Sequence, residues 1–364
     1  MKKLFLHTMV CLLALIGFTC TDETETMPTT DTGIVKLRLQ LALPAGGTAS
    51  RAENITENGT DWENYIDFND ENQYRIYFFD SEENTFIARF TPSEVRMGIA
   101  NQYILYTLEG DVPEALIPES GSMDFKIVVL GNWKVYTDPE AGKTKIEDIC
   151  TDQEKGTFDC FTDGFELGWT KRIPFYGVHE YHGISFADGE MVILAEPVTM
   201  LRAMAKVEVM LEADDLSLES VSIYRYNRKG YCAPQGVESQ EDYEVGKPLP
   251  LHLVGGENAP VEEKLPLTKD GTGKWIAYLP EYRNKGVDDY SYIEVKFTSD
   301  ADDDEPRKIY FATYTNGTTD NVDTKRMDIE RNTIYRFAVH ANPLLFHVSV
   351  DRWEYGGKVH IDVK

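Results

Sequence analysis

The run over residues 34–44 sets the first constraint. Val35, Leu37, Leu39, Leu41 and Leu43 alternate with Lys36, Arg38, Gln40 and Ala42. Apolar side chains at period two give a strand one face that must enter a core. Pro44 ends the run, because proline has no N–H to give a ladder. Gly46, Gly47, Thr48 and Ser50 then predict a loose loop carrying a single arginine, Arg51. The plain reading is an edge strand followed by a loop. The sharper reading is a strand meant to be exchanged, joined to the rest by a segment that a trypsin-like protease can cut.

The same period recurs along the chain. Residues 74–80 and 85–90 read as a hairpin across an Asp-Ser-Glu-Glu-Asn turn, and 102–108 as a further strand. Residues 125–130, Phe-Lys-Ile-Val-Val-Leu, read as a strand buried on both faces. Further strands are expected at 191–194, 207–211, 218–227, 274–280, 292–297, 307–314, 333–339, 346–350 and 359–363. Residues 138–190 have little periodicity and predict loops and short strands; one short helix is expected over 91–96. Short strands separated by Gly, Asn and Asp turns predict an all-β chain of antiparallel β-sandwiches. At 364 residues the chain is long enough for two such domains in series, expected at 33–200 and 201–364.

Lys2 and Lys3 precede an apolar stretch over 4–18, the pattern of a secretory signal occupying residues 1–19. Cys20 stands at its end, before the polar tether of residues 20–32, where a lipoprotein precursor carries its lipidated cysteine. The chain has 36 Lys and Arg against 62 Asp and Glu, for a net charge of −26. That balance suits an extracellular medium and argues against nucleic acid as a partner. Beyond Cys11 and Cys20 there are three cysteines. An oxidising compartment allows a disulfide between Cys150 and Cys160, leaving Cys232 as an odd thiol.

No catalytic residue, cofactor site or metal site is expected. There is no Gly-x-Ser-x-Gly and no P-loop. His179 and His182 are three residues apart, which on a strand places them on opposite faces, a poor metal pair. The acidic run at 300–305 reads as a solvated hairpin tip. Phe161, Phe165, Trp169, Phe175, Tyr176 and Tyr181 offer an alternative, a glycan- or host-binding aromatic surface.

Several segments, in order, resemble the fimbrillin family, the type V pilus subunits of anaerobic gut and oral bacteria. They are Leu201-Arg202-Ala203-Met204-Ala205-Lys206-Val207-Glu208-Val209, Tyr224-Arg225-Tyr226-Asn227-Arg228-Lys229-Gly230-Tyr231, Tyr278-Leu279-Pro280-Glu281-Tyr282 and Glu330-Arg331-Asn332-Thr333-Ile334-Tyr335-Arg336-Phe337, followed by Trp353. In the first half, Ser50-Arg51-Ala52 resembles the family's processing site. The resemblance implies two transthyretin-like β-sandwiches, exported as a lipoprotein to the outer membrane and the fimbrium. It implies an arginine-specific protease cutting between Arg51 and Ala52. The strand of Val35, Leu37, Leu39, Leu41 and Leu43 would then leave. A terminal strand of another fimbrial subunit, with Val359, Ile361 and Val363 as anchors, would take its place in a head-to-tail polymer that supports adhesion to host or bacterial surfaces. Without the cut, the resemblance implies an anchor or tip accessory subunit.

Overall fold

The computed structural model describes residues 34–44, 62–100, 103–119, 121–133, 138–160, 172–187, 189–212, 217–242, 249–298, 305–313, 326–341 and 344–352. Four large sheets account for most of them. In the first, β1 (Lys36–Pro44) lies between β5 (Tyr103–Asp111) and two short strands, β9 (Met191–Ile193) and β10 (Val198–Thr199). Beyond β5, β4 (Glu94–Ala100) forms the edge. The second sheet runs β11 (Leu201–Arg202), β8 (Phe175–Ser185), β6 (Ser122–Gly131), β2 (Tyr74–Asp80) and β3 (Phe86–Phe90). Between these two sheets lies a core that includes the inward residues of β1 with Ile76, Phe78, Phe125, Ile127 and Val129.

The later chain builds a second pair. One sheet runs β16 (Thr268–Lys269), β17 (Trp275–Leu279), β12 (Ala205–Leu211), β20 (Thr333–Ala341) and β21 (Leu344–Arg352). The other runs β15 (Leu265–Pro266), β13 (Ser217–Tyr224), β18 (Tyr292–Thr298) and β19 (Arg307–Tyr310). Val207, Val209, Val221, Ile293, Val295 and Phe337 are among the residues of their shared core. A third core joins the two pairs: Tyr77, Val128, Leu130 and Tyr176 from one side meet Ile276, Tyr278 and Ile334 from the other. The helix α1 (Ile146–Cys150) contributes to it, and the ribbon of β7 (Thr157–Asp159) with β14 (Lys229–Tyr231) pairs the two parts of the chain directly. The all-β sandwich architecture follows from the period-two pattern, and β6 is buried on both faces because it has a core on each side.

Three expectations are corrected. β1 is an interior strand and not an edge: ladders flank it on both sides. Residues 94–100 are a strand, not the end of a helix; Val95, Met97 and Ile99 keep period two and pair with β5. The stretch 138–190 contains β8, eleven residues long. Its residues 175–179 are all buried, because cores lie on both faces. A strand covered on both sides has no apolar-polar alternation to read.

Candidate functional site: the first strand and its clamp

β1 buries Leu37, Leu39, Leu41 and Leu43 completely, and Val35 just before it is 1% exposed. Its partner β5 runs antiparallel for nine residue pairs, from Lys36 opposite Asp111 to Pro44 opposite Tyr103. On the other side the support is broken into short parallel pieces. Lys36, Leu37 and Arg38 pair with Met191, Val192 and Ile193, while Leu41 and Ala42 pair with Val198 and Thr199. The Leu194 N–H donates to the Arg38 carbonyl at 3.0 Å and the Met200 N–H to the Ala42 carbonyl at 2.9 Å. Burying five aliphatic side chains of this size contributes about 8–15 kcal/mol. That is as large as the whole net stability of a typical domain, about 5–15 kcal/mol. Emptying the β1 groove would therefore require something to refill it.

Beyond Pro44 the described chain resumes at Trp62–Asn64, a one-turn segment. Arg202, the last residue of β11, holds both ends of the gap. It is fully buried. Its Nη2 donates to the Pro44 carbonyl at 2.7 Å and to Asn64 Oδ1, and its Nε donates to the Glu63 carbonyl at 3.2 Å. The guanidinium also lies 5.4 Å from the centre of the Phe175 ring, within range of a cation–π contact. Glu63 is anchored further: its carboxylate accepts from Lys206 Nζ at 2.8 Å and from the Tyr278 hydroxyl. Lys206 also pairs with Glu208 at 3.0 Å, and Glu208 in turn binds Lys274 and Arg336. Burial favours the neutral Lys206, but the Glu63 and Glu208 carboxylates outweigh it and raise its pKa. For Glu208 burial works upward, and Lys206 with Lys274 outweighs it and holds the carboxyl below its usual range.

Arg202 and Lys206 thus give a physical role to the stretch 201–209. Arg331 and Asn332 do the same for the later one. Arg331 pairs with the buried Glu281 at 2.6 Å and donates to the carbonyls of Tyr231 and Cys232. Asn332 has φ 53° and accepts the Arg202 N–H at its Oδ1. His252 stacks on Tyr231 with ring centres 3.8 Å apart and donates from Nδ1 to the Ala233 carbonyl. Burial lowers its pKa. Periodicity alone misses these residues. The signal for Arg202 is a lone charge within an otherwise apolar run, Met200 to Met204, where only a buried set of acceptors can hold it.

Cys20, Arg51, Ala52, Val359, Ile361 and Val363 lie outside the described residues, as do Phe161, Phe165, Trp169 and residues 300–304 of the acidic run 300–305. Cys150 and Cys160 are unbridged in this structure. Both are buried thiols held by different elements: Cys150 ends α1, and Cys160 donates its N–H to Arg228 and its Sγ faces the Tyr278 carbonyl. Phe175, Tyr176 and Tyr181 are buried in cores, so they form no aromatic binding face. His179 is buried beside Gln240 and Tyr181, while His182 is exposed beside Asp124. No group of three or more His, Cys, Asp or Glu able to hold a metal comes together among the described residues.

No protein-family model matches the sequence, and no curated protein matches it. Solved structures do. The tip fimbrial protein Mfa3 from Porphyromonas gingivalis, determined with a C-terminal truncation, is 11% identical with a TM-score of 0.54, covering 88% of this chain and 100% of that one. A fimbrial assembly protein from Parabacteroides distasonis is 12% identical with a TM-score of 0.46, covering 88% of this chain and 97% of that one. At such identity the first likeness is one of fold, and it agrees with the family that the sequence segments resemble.

Proposed function

We propose that this chain is a structural subunit of a cell-surface fimbria whose first strand is a removable plug. The observation that carries the reading is β1: its inward face is fully buried, yet it is followed at once by the segment holding Arg51. Export as a lipoprotein through Cys20 delivers it to the outer membrane. An arginine-specific protease cuts between Arg51 and Ala52, and β1 leaves. The groove between β5 and β9/β10 then takes a donor strand anchored by Val359, Ile361 and Val363 of another subunit, whose main chain restores the ladder and whose alternate side chains refill the core. Such a contact is head-to-tail and does not close, so it extends into a fibre that supports adhesion. The body is organised as two sandwiches in series, divided near residue 200.

A second reading has a specific support. Arg202 holds the Pro44 carbonyl in a buried site, which favours keeping β1. An uncut, lipid-held chain of this fold serves as an anchor or tip accessory subunit. N-terminal sequencing of the protein recovered from the cell surface separates the two. A start at Ala52 supports the polymerising subunit, and a lipidated Cys20 supports the anchored one. A start at neither, with the protein recovered from the cytoplasm, sinks both.

A further inference from the structure

Among the described residues, the exposed large apolar side chains are Ile34, Val95, Met97, Ile99, Met191 and Ile193. All lie in the first sheet or immediately before it. Three belong to the edge strand β4, and their register shows that they are misplaced core residues. Val95 is opposite Leu108, Met97 opposite Tyr106 and Ile99 opposite Ile104. Residues directly opposite on an antiparallel pair share a face. Leu108, Tyr106 and Ile104 are at most 2% exposed in the first core, whereas Val95, Met97 and Ile99 are 36%, 45% and 46% exposed. The apolar face of the sheet therefore continues past β5 onto β4, beyond the cover of the opposing sheet.

Among the described residues, the outer side of β4 also has no strand neighbour. Proteins commonly guard such an edge with Lys, Pro or a bulge. β4 has no Lys or Pro, its two charges, Glu94 and Arg96, pair with each other, and its register with β5 runs unbroken from Glu94 to Ala100. We propose that β4 is a self-association edge, on which a second copy of this chain lays its own β4 antiparallel about a two-fold axis at Met97. The reading goes beyond strand exchange at β1 and does not depend on it.

Two observations select a second copy. The first is self-complementarity. Centring the axis on Met97 puts Val95 against Ile99 of the other copy and Met97 against Met97. Arg96 then meets Gly98, and Glu94 meets Ala100, so no charge faces its like directly. The second is charge. The chain carries −26 overall, so two copies approach most readily where charge cancels locally. It does so here: Arg96 binds Glu94 at 2.7 Å and Glu109 at 3.3 Å, and Glu109 also binds Arg38 at 2.8 Å. The isologous contact joins the first sheets of two copies edge to edge.

Cysteine cross-linking in the full chain, with Cys11 and Cys20 replaced by serine, tests the register. Cys150, Cys160 and Cys232 are buried and stay out of the reaction. Met97→Cys is expected to form a disulfide-linked dimer under mild oxidation, since directly opposed residues have Cα atoms about 4.5–5.5 Å apart. Val95→Cys alone is expected not to link, its copies being about 14 Å apart along the strands. An equal mixture of Val95→Cys and Ile99→Cys is expected to link. Without oxidant, Met97→Lys is expected to weaken dimerisation in sedimentation at least about tenfold while leaving the thermal midpoint unchanged. A chain that stays monomeric and does not link through Met97→Cys overturns the proposal, as does equal linking by Val95→Cys alone. A dimer that survives Met97→Lys and is lost on removing residues 353–364 assigns the contact to that segment and overturns it too.

Discussion

Replacing Arg202 by methionine tests the clamp at the end of β1. Methionine keeps much of the apolar stem and removes every donor of the guanidinium. The Pro44 carbonyl loses a 2.7 Å bond, the Glu63 carbonyl loses one of 3.2 Å, and Asn64 Oδ1 loses its partner. Each buried acceptor left unsatisfied costs about 1–3 kcal/mol. Against that, the variant no longer desolvates a cation, a relief of several kcal/mol in the best case. These three partners are two carbonyls and an amide oxygen, so no partner charge is stranded, and the three unsatisfied acceptors leave a net cost of about 2–4 kcal/mol after that relief, a large part of a domain's stability. Equilibrium unfolding in urea measures it, with Arg38→Met as the control. Arg38 pairs with Glu109 but is 36% exposed, so its loss is expected to cost under about 1 kcal/mol. The clamp also makes a statement about cutting. After a cut at Arg51, the fragment ending there is expected to leave the wild-type body more slowly than it leaves Arg202→Met, as followed by gel filtration at timed intervals. A stability loss below about 1 kcal/mol for Arg202→Met, or equal release rates from the two cut chains, refutes the reasoning.

Two further outcomes follow from buried groups. His252 has a folded pKa lowered by burial, so the unfolded chain takes the proton first: its contribution is complete above about pH 6.5 and is lost as pH falls from there. The thermal midpoint is expected to start falling below that pH, and His252→Gln to flatten this limb, while the Glu208 contribution persists to lower pH because its pKa is also depressed; a wild-type midpoint constant from pH 7.5 to 5 contradicts this. Burial pushes the Cys150 thiol up to about 12, so iodoacetamide at pH 8 is expected to leave it unmodified until denaturant is added, and dithiothreitol to leave the midpoint unchanged, whereas a drop on reduction would reveal a bridge.

The strands that alternate were readable, and those covered twice were not. β1 and β5 show period two in both sequence and burial, because one face meets the core and the other is less covered. β8 hides its first half, since Phe175, Tyr176, Gly177, Val178 and His179 are buried whichever way they point. β4 misled for the opposite reason: a short helix was expected over 91–96, and its apolar residues Val95, Met97 and Ile99 lie exposed on a sheet edge. The first strand itself was legible from its leucines. Its clamp was not, because Arg202 is positioned by residues 138 to 158 places earlier in the chain, and no local pattern records which carbonyls a buried guanidinium will find.

The topology sets β1 apart from its counterpart in the second sheet pair, in a way that bears on the proposed exchange. The two sheet pairs repeat one plan. β12 lies between an antiparallel neighbour, β17, and a parallel one, β20, as β1 lies between β5 and β9/β10. β13 sits between β15 and β18 as β2 sits between β3 and β6. The equivalence ends at the parallel flank. β12 has six consecutive pairs with β20, which β21 backs over nine more. β1 has three pairs with β9 and two with β10, with no further strand outside them among the described residues. Main-chain bonds on that side are therefore few and interrupted, while the inward side chains of β1 are completely buried. A strand so held gains most of its stability from its leucines and little from one of its two ladders. Any extended segment with the same alternation recovers the larger part of that stability, which makes the β1 groove selective for pattern over exact sequence.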